Sequence, residues 1–316
     1  MSKIDVLVVW PNRPEQMKVL EETYQLHRYD LADEQGKAAM LDEVGERIRA
    51  VVTTHGGGGF PEYLLNRLPN LEIVSCASVG LDTMCVDQCR ERGVAVTNTP
   101  NVLTDDVADM ALMLMLTTLR RLLPAVKWIE DGSWVNKGMM PLNTAMKGKR
   151  VGIVGLGRIG KAIATRCEAF GMSVSYYSRS AKSDVTYPYY DDLIALATDV
   201  DVLVPVVPGG AETQGMISRE VLSALGPKGY FINVGRGSVV DEPALVELLK
   251  EGVIAGAGLD VFVDEPNVPA ALLEMDNVVL QPHCASGTVE TRAAMAQLVV
   301  DNLAAHFAGK PLLTAV

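Results

Sequence analysis

The chain has 316 residues, enough for two domains of ordinary size. Hydrophobic residues make up 48 % and charged residues 21 %, a balance that excludes a disordered chain. The formal net charge is −11, so phosphate backbones and anionic lipid repel the protein. Neither nucleic acid nor a membrane is an expected partner.

The five cysteines, Cys76, Cys85, Cys89, Cys167 and Cys284, are odd in number and form no disulfide framework. That usage fits a reducing cytosol and predicts a cytoplasmic protein. Cys85 and Cys89 stand four apart on a predicted helix. No second Cys/His pair completes four ligands, so no metal site is expected. The apolar run 6–10 is too short for the core of a signal peptide. The longest apolar stretch, 110–119, falls short of a membrane span and reads as a buried helix.

Short apolar runs alternate with amphipathic stretches from the start. Residues 4–9 read as a strand, 15–24 as a helix, and 50–54 and 71–77 as strands. A helix follows at 86–92 and a strand at 94–97. This alternation predicts a parallel sheet with helices on its faces. Thr99-Pro100 marks a break, because the residue before proline is pushed out of helix. Thr104 with Asp105 and Asp106 is a helix-start signal. The helix it opens is predicted to run to about residue 123. It is apolar on most sides, which predicts burial between domains or subunits.

A second series follows, with strands expected at 151–154, 173–177, 202–206, 230–234, 255–259 and 278–280. Helices fall between them, for example at 161–170 and 242–251. A last long helix, 289–308, ends at Gly309-Lys310-Pro311. The expected fold class is α/β with parallel sheets.

The strongest local signal is the apolar strand 151–154 running into Gly155-Leu156-Gly157-Arg158-Ile159-Gly160, with a helical stretch behind it. The first glycine of G-x-G-x-x-G allows the tight turn, and the second lets a pyrophosphate approach the backbone. The third lets helix and strand pack closely, and the helix N-terminus offers N–H donors to phosphate. The motif in this context predicts dinucleotide binding. An NAD-type site expects an acid about 20 residues on, for the ribose 2′-OH. Here the next strand is followed by Ser178-Arg179-Ser180, with Lys182 nearby and no acid before Asp184. A guanidinium between two hydroxyls suits a 2′-phosphate, which predicts NADP(H) in preference to NAD(H).

Three later segments lie near predicted strand ends, where ligands bind in open α/β sheets. They are Asn233-Val234-Gly235-Arg236-Gly237, then 259–266 with Asp260 and Glu265, then 281–288 with His283. Hydride delivery to C2 of a keto acid builds negative charge on its oxygen. A protonated imidazole can donate to that oxygen, and a neighbouring carboxylate can keep the imidazole protonated near neutral pH. A guanidinium can bind the substrate carboxylate and polarise the carbonyl.

These segments in this order resemble the D-isomer-specific 2-hydroxyacid dehydrogenases. Ser78-Val79-Gly80-Leu81-Asp82, Asn98-Thr99-Pro100-Asn101 and Thr104-Asp105-Asp106-Val107-Ala108 resemble the family too, over roughly residues 45–310. The resemblance implies two Rossmann-like domains with a cleft between them, divided as 1–99 plus 287–316 (flavodoxin-like, substrate) and 100–286 (dinucleotide). It implies that Arg236 binds substrate, that Glu265 pairs with His283, and that His283 is the acid/base. It implies that Asp260 contacts the nicotinamide amide and that the backbone at Val79 and Gly80 holds the substrate carboxylate. Further cofactor contacts are implied for Thr104, Val207, Pro208, Thr213, Val234 and Ser286, and a homodimer is the implied assembly.

Ser178-Arg179-Ser180 is similar to NADPH-preferring glyoxylate/hydroxypyruvate and hydroxyphenylpyruvate reductases. The expected activity is reduction of a small 2-keto acid to the D-2-hydroxy acid. The loop Thr53-Thr54-His55 with glycines 56–59 departs from the family pattern and leaves the substrate side chain open. A reductase of larger 2-keto acids is one alternative. A non-catalytic NAD(H)-sensing protein of the same fold is another, disfavoured by the presence of Arg236, Glu265 and His283 together. Formate dehydrogenases have an amide where Glu265 sits. Long phosphoglycerate dehydrogenases add a regulatory domain, which is not expected here.

Overall fold

The computed structural model describes residues 3–316, so the first two residues of the expected first domain lie outside it. The chain divides into two compact units. One is the chain up to Leu103 together with Gly287–Val316, and the other is Thr104–Ser286.

In the first unit, β1 (Asp5–Val8), β2 (Gln25–Arg28), β3 (Ile48–Thr53), β4 (Ile73–Cys76) and β5 (Ala95–Thr97) form a parallel sheet. Their order is β2-β1-β3-β4-β5, that of a flavodoxin-like sheet. Strands β1, β3, β4 and β5 are mostly apolar and buried because both faces are covered, whereas the edge strand β2 is polar. Val6, Val8, Ala50, Val52 and Ile73 pack on one side with Met17 and Leu20 of the helix Pro14–Thr23. Val299 and Leu303 of the final helix, Val289–Phe307, join them there. On the other side Leu7, Val51 and Val74 meet Leu41, Leu64, Leu68 and Cys89. Cys85 is not on the helix Val86–Glu91 but caps its N-terminus, so only Cys89 of that pair is helical.

In the second unit, seven parallel strands are ordered β12-β11-β10-β9-β6-β7-β8. They are β6 (Arg150–Val154), β7 (Ser173–Tyr177), β8 (Tyr189–Tyr190), β9 (Val202–Pro205), β10 (Tyr230–Asn233), β11 (Gly256–Leu259) and β12 (Val278–Leu280). The order reverses at β6, whose neighbours are β7 and β9. This is the doubly wound arrangement, and the crevice outside the strand ends at such a reversal is where ligands bind.

The helix predicted over 104–123 ends earlier, as Thr104–Leu119. Arg121 takes a left-handed conformation (φ 50°), and a second helix, Leu122–Glu130, starts there. The first helix packs against β10, β11, β12 and the helix Arg158–Ala169, with Val107, Ala111, Leu114 and Met115 buried and Met110, Met113 and Leu116 partly buried. More exposed apolar surface lies after the break. Leu122, Leu123, Val126, Ile129, Trp134, Val135, Met139 and Leu142 are all exposed.

Candidate active site

The glycine loop lies at the reversal of strand order. It follows β6, and the segment after β9 lies beside it. Gly155 has φ 98°, and a Cβ there would come within 2.8 Å of Val207 Cγ1. A Cβ on Gly160 would lie 2.3 Å from the Gly155 carbonyl oxygen, so only glycine lets the helix Arg158–Ala169 start this close to the strand. A Cβ on Gly157 would meet nothing within 4 Å. The loop therefore presents open backbone and a twelve-residue helix N-terminus on one side, the geometry a pyrophosphate requires. The residues present fit a dinucleotide.

The structure brings Val207 to this loop, with Pro208 next in the chain. Thr213 closes the following turn by donating to the Pro208 carbonyl at 2.7 Å. After β7, Ser178 donates to the Ser180 carbonyl at 2.6 Å and so curls the turn around Arg179. The Arg179 side chain is 92 % exposed and pairs with Glu212 at 3.3 Å. A surface ion pair of that kind holds the guanidinium weakly and leaves it able to turn to a phosphate. Thr104 is the first residue of its helix, Val234 is buried just after β10, and Ser286 is the last residue of this unit.

Arg236, Glu265 and His283 follow β10, β11 and β12, three adjacent strands of the same sheet. The buried Asn233 side chain shapes the first turn. Its Oδ1 accepts from the Gly235 N–H, and its Nδ2 donates to the Arg236 carbonyl, both at 3.0 Å. A Cβ on Gly237 would fall 1.9 Å from the carbonyl carbon of Phe262, so glycine is needed for this turn to pass the loop that carries Glu265. Glu265 Oε1 accepts the Phe262 N–H at 3.0 Å, and its Oε2 accepts from His283 Nδ1 at 2.6 Å. Burial pushes the Glu265 carboxyl up. The His283 hydrogen bond, the Phe262 N–H and the charges of His283 and Arg236 outweigh this and hold it below the ordinary carboxylate range.

Asp260, for which the family resemblance implies a contact to the nicotinamide amide, lies just after β11. It has no exposed surface. Its Oδ1 and Oδ2 accept the N–H groups of Cys284 and Ala285, at 2.8 and 2.9 Å. Burial raises its pKa, and those two N–H groups work against the rise. Neither Asn233 nor Glu242, whose Oε1 accepts the Val263 N–H at 3.1 Å, carries a local motif that gives such a role away.

In the other unit, Val79 and Gly80 lie in the loop after β4. Asn98 Nδ2 fixes this loop by donating to the Val79 carbonyl at 3.0 Å. His55 begins the glycine-rich loop after β3. Its Nδ1 lies 3.1 Å from Thr83 Oγ1 and 3.6 Å from Asp82. Gly57 packs flat under the Trp10 ring, where any side chain would collide.

A sheet that reverses at a G-x-G-x-x-G loop, with Arg, Glu and His on its later strand ends, defines a nicotinamide-dependent oxidoreductase. Residues 112–285 match the model of the D-isomer specific 2-hydroxyacid dehydrogenase NAD binding domain. The chain is 51 % identical to a hydroxyphenylpyruvate reductase of Plectranthus scutellarioides over 316 residues, the full length of both. It is 49 % identical, again over the full length of both, to a glyoxylate/hydroxypyruvate reductase of Arabidopsis thaliana. The structure of an NADPH-dependent glyoxylate/hydroxypyruvate reductase from Sinorhizobium meliloti, in complex with NADP and malonate, matches with a TM-score of 0.90. Its identity is 44 %, covering 100 % of this chain and 97 % of that one. The chain belongs to the D-isomer-specific 2-hydroxyacid dehydrogenase family, and it is an oxidoreductase with a nicotinamide-cofactor domain.

Proposed function

We propose that the protein reduces a small 2-keto acid, of the glyoxylate or hydroxypyruvate type, to the D-2-hydroxy acid with NADPH as the preferred reductant. The observation that carries this reading is the hydrogen-bonded His283–Glu265 pair on strand ends next to Arg236 in the chain's dinucleotide unit. The bound cofactor supplies the hydride. Arg236 takes the substrate carboxylate and draws charge from the carbonyl. His283 gives its proton from Nε2 to the oxygen on which charge develops, and Glu265, bonded to Nδ1, holds the ring in the orientation this requires. Backbone N–H groups at Val79 and Gly80 take the substrate carboxylate as well. The exposed Arg179, flanked by Ser178 and Ser180, supports NADPH through a charge-assisted contact to a 2′-phosphate. The remaining cofactor contacts come from Leu156, Arg158, Ile159, Thr104, Val207, Pro208, Thr213, Val234 and Ser286.

A larger substrate is the second reading. The full-length relative that reduces hydroxyphenylpyruvate favours it, and glycines 56–59 bring no side-chain bulk to their loop. The working form is a symmetric homodimer in the cytoplasm. The exposed apolar segment from Leu122 to Leu142 supports the dimer, and the odd set of five cysteines supports the compartment. Steady-state assays of glyoxylate, hydroxypyruvate and hydroxyphenylpyruvate with NADPH and with NADH test the reading. NADPH with one of the smaller acids is expected to give the highest kcat/KM. Turnover of none of them would refute it.

A further inference from the structure

We propose that Trp10 is a specificity-determining residue, a wall for an aromatic or apolar substituent of the 2-keto acid. The inference rests on the proposed substrate site, in which Val79 and Gly80 take the carboxylate. It names the residue of the same unit that meets the far end of the substrate.

The sheet order β2-β1-β3-β4-β5 reverses between β1 and β3. In an open parallel sheet of this order, ligands bind outside the carboxyl ends of those two strands. Trp10 comes two residues after β1, and the run His55–Gly59 comes just after β3. Main-chain bonds hold the first segment against β3, because the N–H groups of Val9 and Trp10 both donate to the Val52 carbonyl, at 2.9 and 3.3 Å. The ring then lies on the glycine run. A Cβ on Gly57 would fall 2.3, 2.4 and 2.6 Å from Cδ2, Cε3 and Cγ of Trp10, so glycine is required for the indole to rest there.

The glycines bring no bulk of their own. A Cβ on Gly56 or Gly58 would meet nothing within 4 Å, and Gly58 has φ 87°, a conformation that favours glycine. His55 is turned to Thr83 and Asp82, and Val9 and Phe60 are buried. Trp10 remains 47 % exposed with one face on Gly57, so it is the large apolar surface that these two segments present.

The loop with Val79 and Gly80 follows β4, which stands beside β3. Strands of a sheet lie ~4.8 Å apart, so β1 and β4 are about 10 Å apart. A substituent that starts beside the β4 loop crosses the glycine run before it meets Trp10. Glyoxylate carries only hydrogen at that position, and hydroxypyruvate a hydroxymethyl group. The hydroxybenzyl group of hydroxyphenylpyruvate is long enough to cross. An indole face favours such a ring by apolar burial and offset stacking.

The test compares Trp10→Ala and Trp10→Phe with the parent. The readouts are kcat and KM for hydroxyphenylpyruvate and for glyoxylate with NADPH, and NADPH Kd by nucleotide fluorescence. Glyoxylate has no substituent to meet the ring, so the ratio of the two kcat/KM values isolates that contact. We expect Trp10→Ala to lower the ratio of hydroxyphenylpyruvate to glyoxylate about tenfold, mainly through KM, with NADPH Kd within about twofold. Trp10→Phe keeps an aromatic face, and its ratio should stay within about threefold of the parent. An unchanged ratio in Trp10→Ala, whether both acids fall together or neither does, would overturn the inference. Trp10→Phe as impaired in the ratio as Trp10→Ala would overturn it too. If Trp10→Ala does not fold, Trp10→Leu takes its place under the same criteria, since it keeps apolar bulk over Gly57 without the aromatic face. A parent that reduces glyoxylate and not hydroxyphenylpyruvate would overturn the inference and leave the proposed reduction standing. A parent that reduces neither would refute that reading and the inference with it.

Discussion

His283 Nδ1 lies 2.6 Å from Glu265 Oε2, although 18 residues separate the two in the chain. Glu265 is held below its ordinary value of 4.5, so it remains a carboxylate across the neutral range. The linkage sign follows from that direction. A lowered carboxyl pKa adds stability above the ordinary value, and the stability is lost only as pH falls below about 4.5 through the lowered one.

Glu265→Gln removes the carboxylate charge at nearly constant size and changes the partner of His283 Nδ1. Reduction consumes a proton, so the alkaline limb of kcat/KM for reduction should move to lower pH in the variant. Oxidation needs the neutral ring, so its acidic limb should move the same way. The check is a pH–rate profile of both directions for parent and variant. Unmoved limbs would reduce Glu265 to a loop acid beside Pro266.

Arg236 donates from Nη1 to the Gly235 carbonyl at 2.9 Å, so its guanidinium is tied to its own turn. Arg236→Lys keeps the charge and loses the planar fork. A fall in kcat/KM of about a hundredfold is expected for keto acids. Near-normal turnover would move Arg236 out of the site.

Arg179 is the only guanidinium in the Ser178–Ser180 turn, and it is almost fully exposed. Arg179→Ala should weaken NADPH binding by about 2 kcal/mol, roughly thirtyfold in Kd, and leave NADH nearly unchanged. Titration of both nucleotides by fluorescence decides this. Equal use of NADPH and NADH by the parent would contradict the assignment.

Ile129 is 62 % exposed on a helix with no buried residue. If a second copy covers that face, light scattering at micromolar concentration should give twice the chain mass. Ile129→Glu should shift the protein toward monomer. A monomeric parent would rule the dimer out.

The parts of this molecule that were legible in its sequence are those where chemistry restricts residue type. The glycines at 155, 157 and 160 follow an apolar strand, and Arg236, Glu265 and His283 each follow another. Both parallel sheets could be read from apolar runs of strand length. What could not be read depends on tertiary contact. β2 has the sequence Gln-Leu-His-Arg, a polar edge with no apolar run to reveal it. The break at Arg121 uses a left-handed residue that is not glycine, so no turn signal marks it. The bonds from Asp260 and Glu242 reach main-chain N–H groups more than 20 residues away, and a main-chain donor has no sequence signature.

The most direct test of the account is the reduction of glyoxylate and hydroxypyruvate with NADPH by the parent and by His283→Ala, with NADPH Kd measured for both. The account predicts turnover by the parent, a loss of about 10²–10⁴ in kcat for the variant, and an NADPH Kd that stays within about twofold. Turnover that survives the loss of the imidazole, or a parent that binds NADPH and reduces neither acid, would contradict it.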